Sequence, residues 1–331
     1  MKDIAKAAAV SVATVSNVLS GKKYVSPEVK ERVESVIRKM DYKPSHIARS
    51  LKNHRTFQIG VMVPDITNPY FAEIIRGVES VTLKNNFQLF LCNTDGESFR
   101  EELSISSFLK YRVDGIIDVA PRMKEETLKK GFGETPLVIV DREISFTSPW
   151  MDVVYTNNYK ASAQLAKHFI EKGYRRLACL AGPFSVPSAR QRLNGFIRYL
   201  SEHGIPDSDI TVRHGEFKFE SGFYMMRELL KEAGYPRAVF ACNDLMAWGA
   251  LEAIKENGLA IPSDISIAGF DNIYFSRFVV PALTTVHQKK YEAGQIATEL
   301  LLEKIRQAEC QAFTTTKQIE LDTELIIRES A

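Results

Sequence analysis

Along the first fifty-odd residues, apolar positions recur only at helical spacing: Ile4, Ala5 and Ala8, then Val15, Val18 and Leu19, then Val29, Val33, Val36 and Ile37. Three short helices are predicted. Ser26-Pro27 opens the third, a capping side chain followed by the residue whose fixed φ and missing N–H suit a first helical position. From Phe57 onward the texture changes to short apolar runs at residues 59–63, 89–92, 115–119, 137–140, 177–181, 238–241 and 265–269. Amphipathic stretches separate them, such as Phe71, Ile74, Ile75 and Val78, or Leu165, Ala166, Phe169 and Ile170. Strand alternating with helix predicts parallel sheets covered on both faces, the doubly wound class. About ten such units are too many for one sheet, so two similar subdomains are expected.

Polar residues gather at one end of these runs. Asp65 follows the first, Asn93 and Asp95 the second, Asp141 and Arg142 the fourth, Asn243 and Asp244 the sixth, Asp271 and Asn272 the seventh. Ligands of doubly wound sheets bind beyond the carboxyl ends of the strands. Two subdomains with those ends facing each other would form a polar cleft.

Composition narrows the class. With 331 residues and 45% hydrophobic side chains the chain can bury more than one core. It shows no apolar stretch long enough to span a bilayer and no apolar signal core after Met1, so a cytoplasmic protein without membrane contact is expected. Cys92, Cys179, Cys242 and Cys310 lie far apart with no paired spacing and no clustered histidines, which suggests neither a disulfide framework nor a metal site. Charge is informative only when divided: residues 1–55 carry a net charge of +7 and the remainder −5. One segment seeks a polyanion and the other does not. Phosphate-binding, hydrolase, zinc-protease and dinucleotide motifs are absent; Ser107-Phe108-Leu109-Lys110 spells S-x-x-K without its companion motifs. No catalytic residue and no cofactor are expected.

A helix-turn-helix needs a small residue where its helices touch, a turn residue with an unusual backbone and a β-branched residue filling the contact. Ala5, Ala9 and Val15 have that spacing. Ser11, Thr14 and Ser16 then stand where a helix start can bond phosphates. The run KDIAKAAAVSVATVSNVLSG, followed by YVSPEVKERV and DYKPSHIARSLK, resembles the head and hinge of the lactose-repressor family of bacterial regulators. VPDITNPYFAEIIRGVE, RVDGII, NDLMAWGAL and GFDN resemble that family's core, so the likeness covers nearly the whole chain. Two departures stand out. Many members have Gly where this chain has Ala9, and most begin with a capping Thr where only Met1 and Lys2 precede Asp3, which leaves either a clipped cap or Asp3 in its place.

The resemblance implies a helix-turn-helix head at 1–43, a hinge and linker at 44–56, and a periplasmic-binding-protein-like core at 57–331. Within the core, 57–156 with 288–316 forms one subdomain and 157–287 with 317–331 the other. It implies that Val12, Ala13 and Asn17 read bases, with apolar contact to thymine methyls from the first two and hydrogen bonds to a base edge, best adenine, from Asn17. It also implies a short hinge helix that folds only against a partner, with Leu51 wedged into the minor groove beside Ala48 and Lys52. Reading a palindrome then requires a homodimer.

For the cleft, the family pattern places Tyr70 or Phe71 against the ligand, Arg192 (in Arg192-Leu193-Asn194-Gly195-Phe196) as its arginine, Asp271 as the acidic partner and Asn243 as the amide. Phe217 falls at a second aromatic wall, and Asp141, Arg142 and Gln288 at lining positions. An Asp/Arg pair suits vicinal hydroxyls and aromatic rings suit sugar faces, which puts a sugar first. The expected protein is thus a ligand-controlled repressor of operator DNA. The same role with a purine or phosphorylated corepressor is the alternative, as is a solute-binding module without DNA; the basic head argues against the last.

Overall fold

The computed structural model describes residues 1–20, 23–42, 55–312 and 315–331. They divide into two units, Met1–Thr56 and Phe57–Ala331. In the first, α1 (Lys2–Ala7), α2 (Val12–Ser20) and α3 (Pro27–Lys39) close around Ile4, Ala5, Ala8, Val15 and Val33. Ala9, in the turn, is left-handed with φ 51°, where a side chain costs on the order of 1 kcal/mol relative to glycine. Met1, not Asp3, holds the capping position of α1; Asp3 lies in the first turn, where its charge complements the helix dipole. Ser26 precedes Pro27 at the start of α3, but its hydroxyl makes no capping bond.

The second unit holds two sheets of nearly the same topology. The first comprises β1 (Gln58–Val63), β2 (Gln88–Asn93), β3 (Gly115–Val119), β4 (Leu137–Val140), β5 (Met151–Thr156) and β11 (Gln318–Leu321), in the order β11-β5-β4-β3-β1-β2 and parallel throughout. The second comprises β6 (Leu177–Ala181), β7 (Ile210–His214), β8 (Ala238–Ala241), β9 (Ser266–Asp271), β10 (Thr284–Gln288) and β12 (Thr323–Ile326), in the order β12-β10-β9-β8-β6-β7. Only β12 runs antiparallel, beside β10. Helices α4 (Pro69–Lys84), α5 (Ser98–Tyr111), α6 (Glu125–Gly131) and α11 (Lys290–Cys310) accompany the first sheet. With the second go α7 (Asn158–Glu171), α8 (Pro187–Glu202), α9 (Phe219–Leu229) and α10 (Asp244–Glu256).

Each sheet buries both faces. Ile59, Val61, Ile117 and Val138 belong to one apolar cluster and the alternate residues Met62, Ile116 and Ile139 to another; Leu177, Cys179 and Phe240 alternate in the same way with Ala178, Leu180 and Val239. α11 packs on α4 with backbones in contact: a Cβ on Gly77 would lie 2.1 Å from the Tyr291 carbonyl oxygen, and one on Gly294 2.1 Å from that of Ile74. A buried ion pair of 3.2 Å between Lys304 and Asp152 fixes α11 to β5. The chain crosses between sheets after β5, after β10 and after β11. The last crossing corrects the boundary expected at 316/317: β11 pairs with β5, and Ile319 and Leu321 pack in the first subdomain's core. Among the described residues, no helix is long and apolar enough to cross a membrane.

Candidate functional site

The carboxyl ends of both sheets border a cavity of about 660 Å³. Asp65, Asn68, Tyr70, Phe71, Asp95, Ala120, Arg122 and Asp141 line it from the first subdomain, and Ser188, Arg192, Phe217, Asn243 and Asp271 from the second. The backbone is strained at four of these: Asp95 (φ 51°), Ala120 (φ 50°), Asp141 (φ 61°) and Asp271 (φ 111°) are all non-glycine residues at positive φ. Each costs of order 1–3 kcal/mol, and such strain concentrates where side chains must be aimed at a ligand.

Arg192 is the centre of the second-subdomain wall. Although only 3% exposed, it donates from Nε to Asn158 Oδ1 (2.7 Å) and from Nη1 to the Cys242 carbonyl (2.7 Å) and Asp271 Oδ1 (3.2 Å). Its guanidinium lies 4.0 Å over the Phe270 ring and 5.9 Å from that of Phe217. Asp271 Oδ1 also accepts from Gln288 Nε2 (2.7 Å), and Gln288 Oε1 accepts from the Tyr70 hydroxyl (3.3 Å). Behind them Lys290 Nζ donates to the Asp271 carbonyl (2.6 Å) and lies 3.6 Å from Glu73 on α4. Burial pushes the Asp271 carboxyl up, with Arg192 and Lys290 pulling against it. Burial likewise raises the Tyr70 hydroxyl, reinforced by the charges of Asp141 and Asp271. Next to this wall Asp244 is pushed up to about 7, first by burial and then by Asp271. It accepts from the Ser276 and Thr285 hydroxyls (2.5 Å each) and the Ile273 amide (2.9 Å).

Asp141 behaves differently. It is 7% exposed, and its Oδ1 is buried with no hydrogen-bond partner among the described residues. Burial raises its carboxyl to about 6, with Arg192 and the Tyr70 hydroxyl opposing and Asp271 adding to the rise. A buried acceptor left open costs roughly 1–3 kcal/mol.

The cavity therefore gathers Tyr70, Phe71, Asp141, Arg192, Phe217, Asn243 and Asp271. Asn243 also caps α10, with Oδ1 accepting from the Met246 amide (2.9 Å) and Nδ2 donating to the Phe217 carbonyl (3.2 Å). Gln288 stands behind Asp271 rather than on the cavity surface. Arg142 is a correction: it does not line the cavity, and its guanidinium donates instead to the carbonyls of Pro121 (2.9 Å) and Met123 (2.5 Å). The left-handed Asp141 just before it turns the chain at that point. Asn158, Arg122 and Ser188 carry no expectation from sequence, whereas Asp244 was expected at its strand end and stands beside the cavity rather than lining it. Asn158 had a signal, since in the pair Asn157-Asn158 only the first is needed to cap α7.

In the head, Ser11, Val12 and Ala13 are exposed at the start of α2, while Thr14, Ser16 and Asn17 are half-buried and Val15 is buried. Ser11 Oγ accepts from the Thr14 amide at 3.0 Å and so caps the helix. Val12, 43% exposed, is not a packing residue. Ala48, Leu51 and Lys52 lie outside the described residues. Among those described, no group of three or more His, Cys, Asp or Glu is placed to hold a metal ion.

Residues 1–45 match the family model "Bacterial regulatory proteins, lacI family", and residues 166–331 match that of the "Periplasmic binding protein-like domain". The chain is 37% identical over its whole length to the "HTH-type transcriptional repressor PurR" of Mannheimia succiniciproducens, covering 98% of that protein. The chain belongs to the lacI family. It is a transcriptional regulator, with a DNA-binding helix-turn-helix head and a core built to bind a small molecule. Among solved structures, the regulator superimposes on the lac repressor dimer bound to operator and the anti-inducer ONPF with a TM-score of 0.87 at 27% identity, covering 99% of this chain and 97% of that one. A LacI family regulator from Enterococcus faecalis V583 with bound ribose matches with a TM-score of 0.73 at 32% identity, over 82% of this chain and 98% of that one.

Proposed function

We propose that this regulator is a repressor that binds a palindromic operator as a homodimer in the cytoplasm and is controlled by a sugar in the core cavity. The observation that carries the sugar reading is Asp141, whose buried Oδ1 has no partner among the described residues and which lines the same cavity as the Arg192–Asp271 pair. Vicinal hydroxyls can donate to both carboxylates and accept from the guanidinium, while Phe71 and Phe217 offer apolar faces to the ring. The bound ribose of the Enterococcus faecalis protein favours the same class.

Exposed apolar contacts support the homodimer: Phe90 stacks on Tyr111 in the first subdomain, and Tyr274 packs on Phe275 and Phe278 in the second. Ser11, Val12 and Ala13 are assigned to operator contact because they are exposed where α2 begins, with Thr14, Ser16 and Asn17 completing that surface. Residues 44–56 are assigned to the hinge, with Leu51, Ala48 and Lys52 as its groove-facing residues. Binding rather than catalysis is the role of the cavity. Titration calorimetry of the full chain against pentoses, hexoses and purines, repeated with operator present, tests the reading. A saturable signal with a sugar that changes operator affinity is expected; heat with purines alone overturns it.

A further inference from the structure

A second cavity lies at the opposite ends of the second sheet. It measures about 540 Å³ and is lined by Tyr174, Arg175, Arg176, Gly234, Tyr235 and Arg237, together with Gly173. Arg176 and Arg237 immediately precede β6 and β8, so this cavity sits at the amino ends of strands whose carboxyl ends border the effector cavity. A strand of five residues separates the two by roughly 17 Å.

Three arginines share this cavity, yet none of them has an ion-pair partner among the described residues, in a core whose net charge is negative. Glu232 pairs with Arg213 and Glu228 with Lys231, and no carboxylate among the described residues lines the cavity. Each guanidinium is held by a backbone carbonyl. Arg175 donates to Tyr174 (3.0 Å), Arg176 to Gly234 (2.8 Å) and Arg237 to Ser263 (3.0 Å). The Arg237 amide donates to the Arg176 carbonyl (2.9 Å), which fixes the spacing of those two residues. Gly234, at φ 74°, takes the left-handed backbone that favours glycine, and Arg176 Nη1 lies close over it, 2.2 Å from where a Cβ would stand. One carbonyl uses one of the five N–H donors of an arginine and leaves the others available.

Like charges brought together repel, and the arginine fork matches tetrahedral phosphate oxygens in pairs. Tyr174 and Tyr235 complete the lining. The geometry points to a phosphate-binding site, in which a small phosphorylated metabolite or pyrophosphate occupies the Arg175–Arg176–Arg237 cavity as a second ligand, separate from the effector cavity. The volume exceeds that of a bare phosphate and falls in the range of small-ligand sites.

The test uses the full chain, because the basic head also attracts anions and the assignment must be by position. Phenylglyoxal modification of arginines, quantified by peptide mass spectrometry, is followed with increasing pyrophosphate, ribose 5-phosphate and uncharged ribose. Saturable protection of Arg175, Arg176 and Arg237 by at least one phosphorylated probe, and not by ribose, is expected. In the double variant Arg176→Gln/Arg237→Gln, the affinity for that probe falls at least about tenfold, as loss of charge-assisted bonds requires, while operator affinity without anion is unchanged. Protection confined to head arginines or Arg192, or none at millimolar probe, overturns the site. So does a folded double variant that binds within twofold of the parent. If the variant does not fold, protection in the parent chain decides. The sugar reading of the effector cavity stands or falls separately, on the calorimetry.

Discussion

On the second-subdomain wall of the effector cavity, Arg192, Asp271, Asn158 and Gln288 already satisfy one another, whereas on the first-subdomain wall Asp141 keeps a buried oxygen with no partner among the described residues. The first of these walls is organised before any ligand arrives and sets orientation. The second carries an unmet acceptor that a ligand can relieve. Since the chain crosses between the subdomains at three places, a ligand bonded to both walls favours whichever relative position lets both bonds form. That differential is what a conformational switch requires.

The largest effect is expected at Arg192. Arg192→Met leaves Asp271 and Asn158 facing a buried apolar side chain, and breaking a buried pair in this way costs about 3–5 kcal/mol. Urea unfolding should show that loss, and calorimetry no effector binding at millimolar sugar. A variant of near-parental stability would mean that the wall does not depend on the pair.

Asp244 tests the second-subdomain wall through pH. Its carboxyl is raised to about 7 from an ordinary value of 3.8, so the folded state holds the proton more tightly than the unfolded chain. The stability this contributes is fully present below about pH 4 and is lost as pH rises through about 7. Relative to Asp244→Asn, the parent should therefore lose stability between pH 4 and 8, by on the order of 4 kcal/mol at most, and run parallel to it above. A constant difference between the two proteins would show that Asp244 is ionised throughout.

Arg142 provides the smallest expected effect. Because it donates to the Pro121 and Met123 carbonyls and does not line the cavity, Arg142→Gln should change sugar affinity by less than about twofold, within roughly 0.4 kcal/mol. A loss of tenfold or more would return it to the cleft.

Arg142 also shows where sequence reading stops. The apolar runs that became β1, β3, β4, β6 and β8 were legible because both sheet faces are buried. β10, with the sequence Thr-Thr-Val-His-Gln, was not, although four of its five residues are buried. Its polar groups are satisfied only by partners distant in sequence, Thr285 by Asp244 and Gln288 by Asp271. β5 hid for the same reason, since Asp152 is buried against Lys304. β7, β11 and β12 are edge strands with polar residues interspersed. Arg192, Asp271 and Asn243 could be named from family pattern and strand-end position. The direction Arg142 takes after a left-handed Asp141 is a backbone property with no signature in residue type, and the role of Asn158 depends on a contact 34 residues away.

The central claim is that the ligand completes Asp141, and effector affinity measured from pH 5 to 8 in the parent and in Asp141→Asn tests it most directly. With its carboxyl raised to about 6, the parent should bind the sugar more tightly as pH rises from 5 to 7, as the carboxylate that accepts the hydroxyl forms, and level off above. Asp141→Asn should bind about tenfold more weakly at pH 8 without that rise. A parent whose affinity does not vary with pH, or a variant that keeps the same profile, would contradict the account.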